Sequence, residues 1–438
     1  MTERWTKFEG PDGGAPIEDE SPSCVIVCAD LSPRELARSG EPRRIDRDDL
    51  DASLARVAPR LDLGLPEFGS LTFSCWDDFT PLGIALQSRP LRRLLEARES
   101  GTLDAELRGL LGDEQRVPAA YEAPAANRSA DGAALLDALL GEPAPESVPV
   151  ARARGVGRDA AFDRVVQEIA DRAASSQPHG PSPELRARIN AELARRLVLA
   201  RSHPALLSLE AAWASLRRLV RNLETSDALR LRVIDVARGD CAAAIARVAA
   251  APPEGERVRL VVACFAYESS ECDGAALAAL ARAAESLGAV ALADATPELL
   301  ARAASGELGQ DAAWRELSAQ LRGRLWLAGP RVLARAPHGA ESEGAEGLGL
   351  DGSDTGAACW TGAASIAAEA LLAGTAQIDW LPTFASAVDG EPIQVGPTEV
   401  RLSEREIERA TGAGLVVVAG VKGADFAIVR GGPRLGSA

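Results

Sequence analysis

The sequence predicts an α/β fold in which mostly parallel or mixed sheets are flanked by helices. From residue 229 onward, apolar runs of strand length alternate with helical patterns, which is typical of a parallel sheet covered by helices. A long amphipathic helix is predicted directly before this alternation, over residues 204–223. The 438 residues are 46% hydrophobic but only 4% aromatic, so a core built largely from Ala, Leu and Val is expected.

The first elements follow a polar arm. Residues 1–22 are rich in Gly, Pro and acidic residues, and a flexible arm is expected there. Cys24–Ala29 has the pattern of a buried strand, and Leu71–Cys75 alternates as a second one. Residues 113–133 lack any periodicity and are expected to be a linker.

Two helices are predicted within this first stretch. The first carries apolar residues at helical spacing, and Asp46 is its expected N-terminal cap. These apolar residues are Leu50, Leu54, Val57 and Leu61. The second helix is expected around residues 90–112.

The helix over 204–223 has the clearest pattern in the chain, and two further helices are predicted before it, over 159–175 and 182–200. Ser202 or His203 can cap it, and Pro204 suits its first turn, where a missing N–H costs nothing. Its apolar residues step by three and four and form one stripe, which must pack on a large surface. They are Leu206, Leu209, Trp213, Leu216, Val220 and Leu223.

The alternation that follows supplies the predicted sheet. Strands are expected over 229–236, 258–265 and 289–293. Helices are expected between them over 239–250 and 274–287, with Gly288 as a stop, and Thr296-Pro297 opens another helix.

The C-terminal part adds a loop, a helix and a hairpin to this prediction. The acidic, glycine-rich segment 339–356 is expected to be an exposed loop, followed by a helix over 357–373 that Gly374 ends. Strands are predicted over 414–419 and 425–429, joined by a turn at Gly420-Val-Lys-Gly.

Charge and hydropathy exclude several classes of protein. With 48 basic and 64 acidic residues the net charge is −16, which argues against nucleic acid and anionic membranes as partners. No apolar window is long enough for a membrane span, and residues 1–10 lack the apolar core of a signal peptide. A cytoplasmic protein is expected.

Catalytic and metal-binding signals are weak. The seven cysteines lie mostly in apolar runs, and the three histidines, His179, His203 and His338, are scattered, so neither a metal site nor a cofactor is expected. No nucleophile elbow or phosphate-binding loop occurs. The adjacent Asp77 and Asp78 are better interpreted as a solvated turn than as an acid–base pair. The chain is therefore predicted not to be an enzyme.

One series of motifs runs over about residues 20–112, and its segments are Val25–Ser32, Arg44–Asp51, Leu54–Leu61, Leu71–Pro81 and Pro90–Arg98. In order and spacing this series resembles the small sheath protein of type VI secretion systems. The resemblance implies a role in fold or interface for matching residues. These are Asp30, Asp46, Asp77, Asp78 and Phe79.

A second series resembles the large sheath protein of the same systems. Its segments are Leu135–Gly141, His203–Val220, Leu229–Val236 and Val421–Leu435. The matching fold or interface candidates are His203, Pro204, Leu209, Glu210, Trp213, Leu216, Lys422, Gly423, Asp425, Gly431 and Gly432.

Together the two series imply a contractile-sheath-like chain in which both sheath proteins are fused. Residues 1–22 would be an arm, 23–112 the small-subunit-like region, 113–133 a linker and 134–438 the large-subunit-like region. The last would comprise a helical part, 159–223, and an α/β core, 224–438.

The resemblance also implies a function and partners. The chain would assemble with copies of itself or with other sheath subunits around an inner tube protein, with baseplate components and a disassembly ATPase as further partners. Two departures matter: Phe265–Ser270 replaces a family motif, and a full large subunit would continue well beyond Gly431-Gly432. The alternative is a sheath-fold adaptor, initiator or cap that does not polymerise, and an enzyme on the same scaffold is the third class.

Overall fold

The computed structural model describes residues 22–33, 40–112, 182–223, 225, 229–337, 357–373, 393–422 and 426–431. The predicted linker, the helix over 159–175, the loop over 339–356 and nearly all of the N-terminal arm lie outside these residues, as does the motif Leu135–Gly141. The chain divides into two compact units, one of residues 1–92 with 193–438 and one of residues 93–192.

A nine-stranded sheet forms the centre of the larger unit. In chain order the strands are β1 (Ser23–Ala29), β2 (Arg43–Ile45), β3 (Arg60–Asp62), β4 (Ser70–Thr72), β5 (Leu229–Asp235), β6 (Arg257–Tyr267), β7 (Val290–Ala295), β8 (Leu325–Gly329), β9 (Val332–Arg335), β10 (Cys359–Thr361), β11 (Ile393–Gln394), β12 (Leu415–Gly420) and β13 (Phe426–Arg430). The order in the sheet is β11-β13-β12-β8-β7-β6-β1-β5-β2, and β3–β4 and β9–β10 form separate pairs.

The middle of the sheet is parallel and its edges are antiparallel. Strand β1 pairs in parallel with both β5 and β6, and the parallel pairing continues through β7 and β8 to β12. Strands β2 and β13 run antiparallel to their neighbours. The predicted α/β class with a mostly parallel, mixed sheet is confirmed. Strand β1 therefore pairs with two strands, β5 and β6, that follow it in the sequence only after a long intervening segment.

Thirteen helices lie within the described residues. In chain order they are α1 (Leu50–Val57), α2 (Pro81–Gln87), α3 (Arg89–Ser100), α4 (Ala105–Gly112), α5 (Pro183–Arg201), α6 (Pro204–Asn222), α7 (Cys241–Ala250), α8 (Glu271–Ser286), α9 (Pro297–Ser305), α10 (Glu307–Gln310), α11 (Ala312–Leu321), α12 (Ala364–Ala373) and α13 (Glu404–Gly412). Helices α7, α8, α9 and α13 share one apolar core with Cys24, Ile26 and Cys28 of β1. Helix α12 packs on β6, β7 and β8 of the sheet and also against α6.

The helix predicted with Asp46 as cap is shorter than expected. It spans Leu50–Val57, its N-cap is Asp49, and Leu61 belongs to strand β3. Pro59 explains the early end, because proline cannot continue a helix and disfavours a helical residue before it. Ala58, the C-cap residue, has a left-handed backbone with φ 39°. The Asp46 carboxylate instead accepts from the backbone N–H groups of Asp48 and Asp49, at 3.1 Å each, in the preceding turn.

Two other helix predictions are corrected. The helix expected around 90–112 is two helices, α3 and α4, interrupted where Gly101 adopts φ 74°. The helix expected over 357–373 starts only at Ala364, because Cys359–Thr361 pairs with β9 as a strand.

Most of the remaining predicted elements are confirmed. Helices α5 and α6 and strands β5, β6 and β7 lie within a few residues of their predicted bounds. Thr296 caps α9 through its side chain, and Gly288 adopts φ 67° after α8. The elements β2, β8, β9, α11 and α13 were not predicted.

Candidate interface site around helix α6

The N-terminus of helix α6 is capped as the sequence predicts. His203 is the N-cap residue, and its Nδ1 accepts from the backbone N–H of Ala205 at 3.3 Å. Pro204 occupies the first turn, where no intrahelical donor is lost. His203, the only histidine among the described residues, thus caps a helix terminus.

The apolar stripe of α6 is almost completely buried. Leu209, Trp213 and Leu216 are all at most 1% exposed. The helix packs on strand β10 and on helix α12. Burying one such side chain contributes about 1.5–3 kcal/mol, so this stripe anchors α6 to the larger unit.

Trp213 joins α6 to the turn that follows β1. Its indole N–H donates to the carbonyl oxygen of Leu31 at 3.2 Å. The carboxylate of Asp235, at the end of β5, accepts from the N–H groups of Leu31 at 2.9 Å and Ser32 at 3.2 Å, and also from the Ser32 hydroxyl. The predicted site residue Asp30 is half-buried at the start of this turn. The motif Asp30-Leu31-Ser32 is therefore held by two elements that lie far away in sequence.

Glu210 lies within the apolar stripe as a buried acid and is 4% exposed. Arg335 of β9 donates to both of its carboxylate oxygens, at 2.6 and 2.9 Å, in a bidentate pair. Arg201 of α5 lies 3.7 Å from the same carboxylate and donates to the carbonyl oxygen of Phe79. Burial, and then the nearby Arg335, lower the pKa of Arg201, which still remains a cation at neutral pH.

The segment Trp76–Phe79 is a single turn of 3₁₀ helix beside this charge cluster. Phe79 stacks on Phe73 with ring centroids 4.3 Å apart. The Asp78 carboxylate accepts from the N–H groups of Ser74 at 2.6 Å and Cys75 at 3.0 Å. Burial opposes ionisation of Asp78, but these hydrogen bonds outweigh it and lower its pKa.

Asp77 contributes to the same turn through its backbone. Its carbonyl oxygen accepts from the hydroxyl of Thr80 at 2.6 Å, and Thr80 caps helix α2. The backbone of Asp77 and the carboxylate of Asp78 therefore both hold the turn that precedes helix α2.

A pocket of about 180 Å³ lies between Trp76–Pro81 and α6. Its lining includes Glu210 and three arginines, Arg201, Arg217 and Arg335. The Arg217 guanidinium lies over the Trp76 ring, 4.2 Å from its centroid. We name this the arginine pocket.

The predicted candidates near the C-terminus lie at a different place. Lys422 is exposed after β12, whereas Gly423, Asp425 and Gly432 lie outside the described residues. Gly431 adopts φ 99°, and a Cβ there would lie 2.5 Å from the Leu415 carbonyl oxygen. Backbone geometry alone accounts for this glycine.

The sequence analysis missed Arg201, Arg335 and Asp235. Each is a partner of a predicted residue: both arginines approach Glu210, and Asp235 holds the turn after Asp30. An acid inside an apolar helical stripe is a usable signal, because a buried carboxylate is expected to have a cationic partner. Which arginines pair with it depends on the tertiary fold.

The described residues hold no group of three or more His, Cys, Asp or Glu side chains arranged for a metal ion. Within the same parts of the chain, no helix has the length and apolarity needed to span a membrane. The cysteines are free thiols: Cys24, Cys28, Cys241 and Cys359 are buried, as most were expected to be, while Cys75 and Cys272 are exposed.

Comparisons with known proteins give a distant similarity. No protein-family model matches the sequence. The chain is 22% identical over 299 residues to the type VI secretion system sheath protein TssC1 of Pseudomonas aeruginosa, in an alignment that covers 57% of this chain and 60% of that protein. The chain thus spans about 60% of the length of this curated relative. At this distance, the chain is similar to a sheath protein.

Proposed function

We propose that this chain is a structural subunit of a contractile sheath of the type VI secretion kind, with small- and large-subunit-like regions joined in one polypeptide. It would assemble in the cytoplasm around an inner tube, with copies of itself or other sheath subunits, and drive injection by contraction. The observation that supports this proposal most is the position of β1 between β5 and β6.

The contacts of β1 explain why the two regions would act as one body. All seven residues pair with β5 in parallel register, and six pair with β6 on the other side. Cys24 through Ala29 are at most 1% exposed. Without β1, the facing backbone groups of β5 and β6 would lose their partners in a buried layer, which is costly. A covalent link would fix the two regions at one to one.

A structural role also agrees with how the charged residues are used. Asp78, Glu210 and Asp235 each form contacts that hold turns and helices in place. A sheath subunit works through complementary surfaces and a transition between two packings, so it needs no catalytic group. The name of the relative, a sheath protein, supports the same class.

Negative-stain electron microscopy tests this proposal. The purified chain would be imaged alone and mixed with the inner tube protein from the same source, with the tube protein alone as control. Tubes or rings of repeating subunits that require the chain are expected. Dispersed particles under both conditions would contradict the sheath role; co-purification with sheath or baseplate proteins would then favour the adaptor.

A further inference from the structure

The arginine pocket has a local charge opposite to that of the whole protein. The chain carries a net charge of −16, yet the pocket's lining includes Arg201, Arg217 and Arg335 against the single acid Glu210. Three arginines and one glutamate thus line a pocket of about 180 Å³. Such a concentration of positive charge in a concave site attracts anions.

The ion pairs inside the pocket leave one N–H donor of Arg201 without an acceptor among the described residues. Arg335 takes both oxygens of Glu210, so Arg201 approaches that carboxylate only at 3.7 Å. The buried Nε of Arg201 has no hydrogen-bond partner among the described residues. A buried cationic donor without a full set of acceptors is costly, and an additional anion nearby would offset that cost.

Arg217 lies at the accessible side of the pocket. Its guanidinium is held over the Trp76 ring at 4.2 Å, which orients the planar group, and both residues are half-buried and not enclosed. A guanidinium matches the two oxygens of a carboxylate in a bidentate geometry.

Helix α2, which begins at the pocket, carries two exposed apolar side chains. Pro81 of the lining begins helix α2, in which Leu82 is 39% and Leu86 48% exposed. These two leucines are one helical turn apart and lie on one side of α2. A partner that places an acid in the pocket would therefore meet apolar side chains next to it.

We propose that the arginine pocket binds a carboxylate side chain presented by an acidic, leucine-bearing segment of a partner protein. The carboxylate would pair with Arg217, and the neighbouring apolar side chains would pack on Leu82 and Leu86. This inference does not depend on sheath assembly, because it concerns a pocket complete within a single chain.

The test measures binding of a short labelled peptide to the unassembled full chain by fluorescence anisotropy at low ionic strength. The probe has three Glu-Leu repeats, and the neutral control has three Gln-Leu repeats. We expect the Glu-Leu peptide to bind at least about tenfold more tightly, with an affinity that falls as salt is added. Failure of the Glu-Leu peptide to bind, or its displacement by equimolar inorganic phosphate, would overturn the proposal.

Variants locate the binding to the pocket. Arg217→Gln should weaken binding of the Glu-Leu peptide at least about tenfold. Arg315→Gln removes the same charge from the exposed side of α11 and should leave it unchanged. Leu86→Glu keeps every arginine and adds a like charge beside the pocket, so it should also weaken binding. Equal affinities for the Arg217 and Arg315 variants, with both folded by circular dichroism, would contradict the assignment.

Discussion

Two buried carboxylates of the same sheet have opposite electrostatic environments. Glu256 lies just before β6 with a side chain that is 1% exposed, and Asp294 lies near the end of β7 and is 5% exposed. Arginine hydrogen bonds, above all from Arg232, lower the pKa of Glu256 to about 2. Burial raises the pKa of Asp294 to about 7.

The difference comes from the donors that each carboxylate meets and from the deeper burial of Asp294 in the fold. Arg232 donates to both oxygens of Glu256, at 2.6 and 2.9 Å, and Arg230 adds a bond at 2.9 Å. Asp294 accepts from the neutral N–H of Ala364 at 2.7 Å, at the start of α12. The nearby Arg331 is already paired with Glu399. Cationic donors therefore stabilise the charge of Glu256, whereas deeper burial with a single neutral donor penalises the charge of Asp294.

The largest expected effect is a pH dependence that Asp294 imposes on folding. Its folded pKa of about 7 exceeds the ordinary value of 3.8, so its favourable contribution is complete below pH 3.8 and is lost as pH rises to about 7. The loss amounts to at most about 4 kcal/mol. Urea unfolding of the wild type and Asp294→Asn across this range measures it. A difference between the two that does not change with pH would contradict the prediction.

The next effect tests how closely Asp294 is enclosed. A Cβ added at Gly362 would overlap with the Asp294 carboxylate, so Gly362→Ala must displace a buried side chain. We expect a loss of about 3 kcal/mol in the free energy of unfolding. Gly309→Ala is the matched control, because a Cβ there meets nothing within 4 Å. Similar stabilities for both variants in chemical denaturation would show that the Asp294 site has room to adapt.

Replacing Glu256 probes the opposite environment. Glu256→Gln leaves Arg230 and Arg232 without their anion, and we expect a loss of about 2 kcal/mol at pH 7. The Glu256 contribution is present above pH 4.5 and is lost as pH falls toward 2, so the variant should lose less stability on acidification than the wild type. Parallel acid unfolding curves for the two proteins would argue against it.

The smallest effect concerns Arg331. This cation lowers the pKa of Asp294, although less than burial raises it. In Arg331→Gln, the pH dependence assigned to Asp294 should therefore move to higher pH, and the lost pair with Glu399 should cost about 0.5 kcal/mol at neutral pH. The unfolding free energy against pH gives both quantities. A shift to lower pH would contradict the proposed electrostatic coupling.

The predictions made from sequence succeeded where the determinant is local. His203, Pro204 and the apolar stripe of α6 were placed correctly, because capping and periodicity involve residues at most a few positions apart. Leu61 was misplaced because Pro59 overrides a periodic pattern. Among the site residues, Glu210 and Asp78 were identified, but their contacts were not.

The sequence by itself determined the class of the fold, the bounds of its long helices and the acidic character of the chain. Only the tertiary structure decided that β1 lies between β5 and β6, that Asp235 holds a turn 204 residues away at Leu31, and that Arg201 and Arg335 both approach Glu210. The physical reason is the separation in sequence between the residues that interact. Backbone periodicity and caps act between neighbours in sequence, whereas strand partners and buried ion pairs depend on which distant residues meet when the core closes.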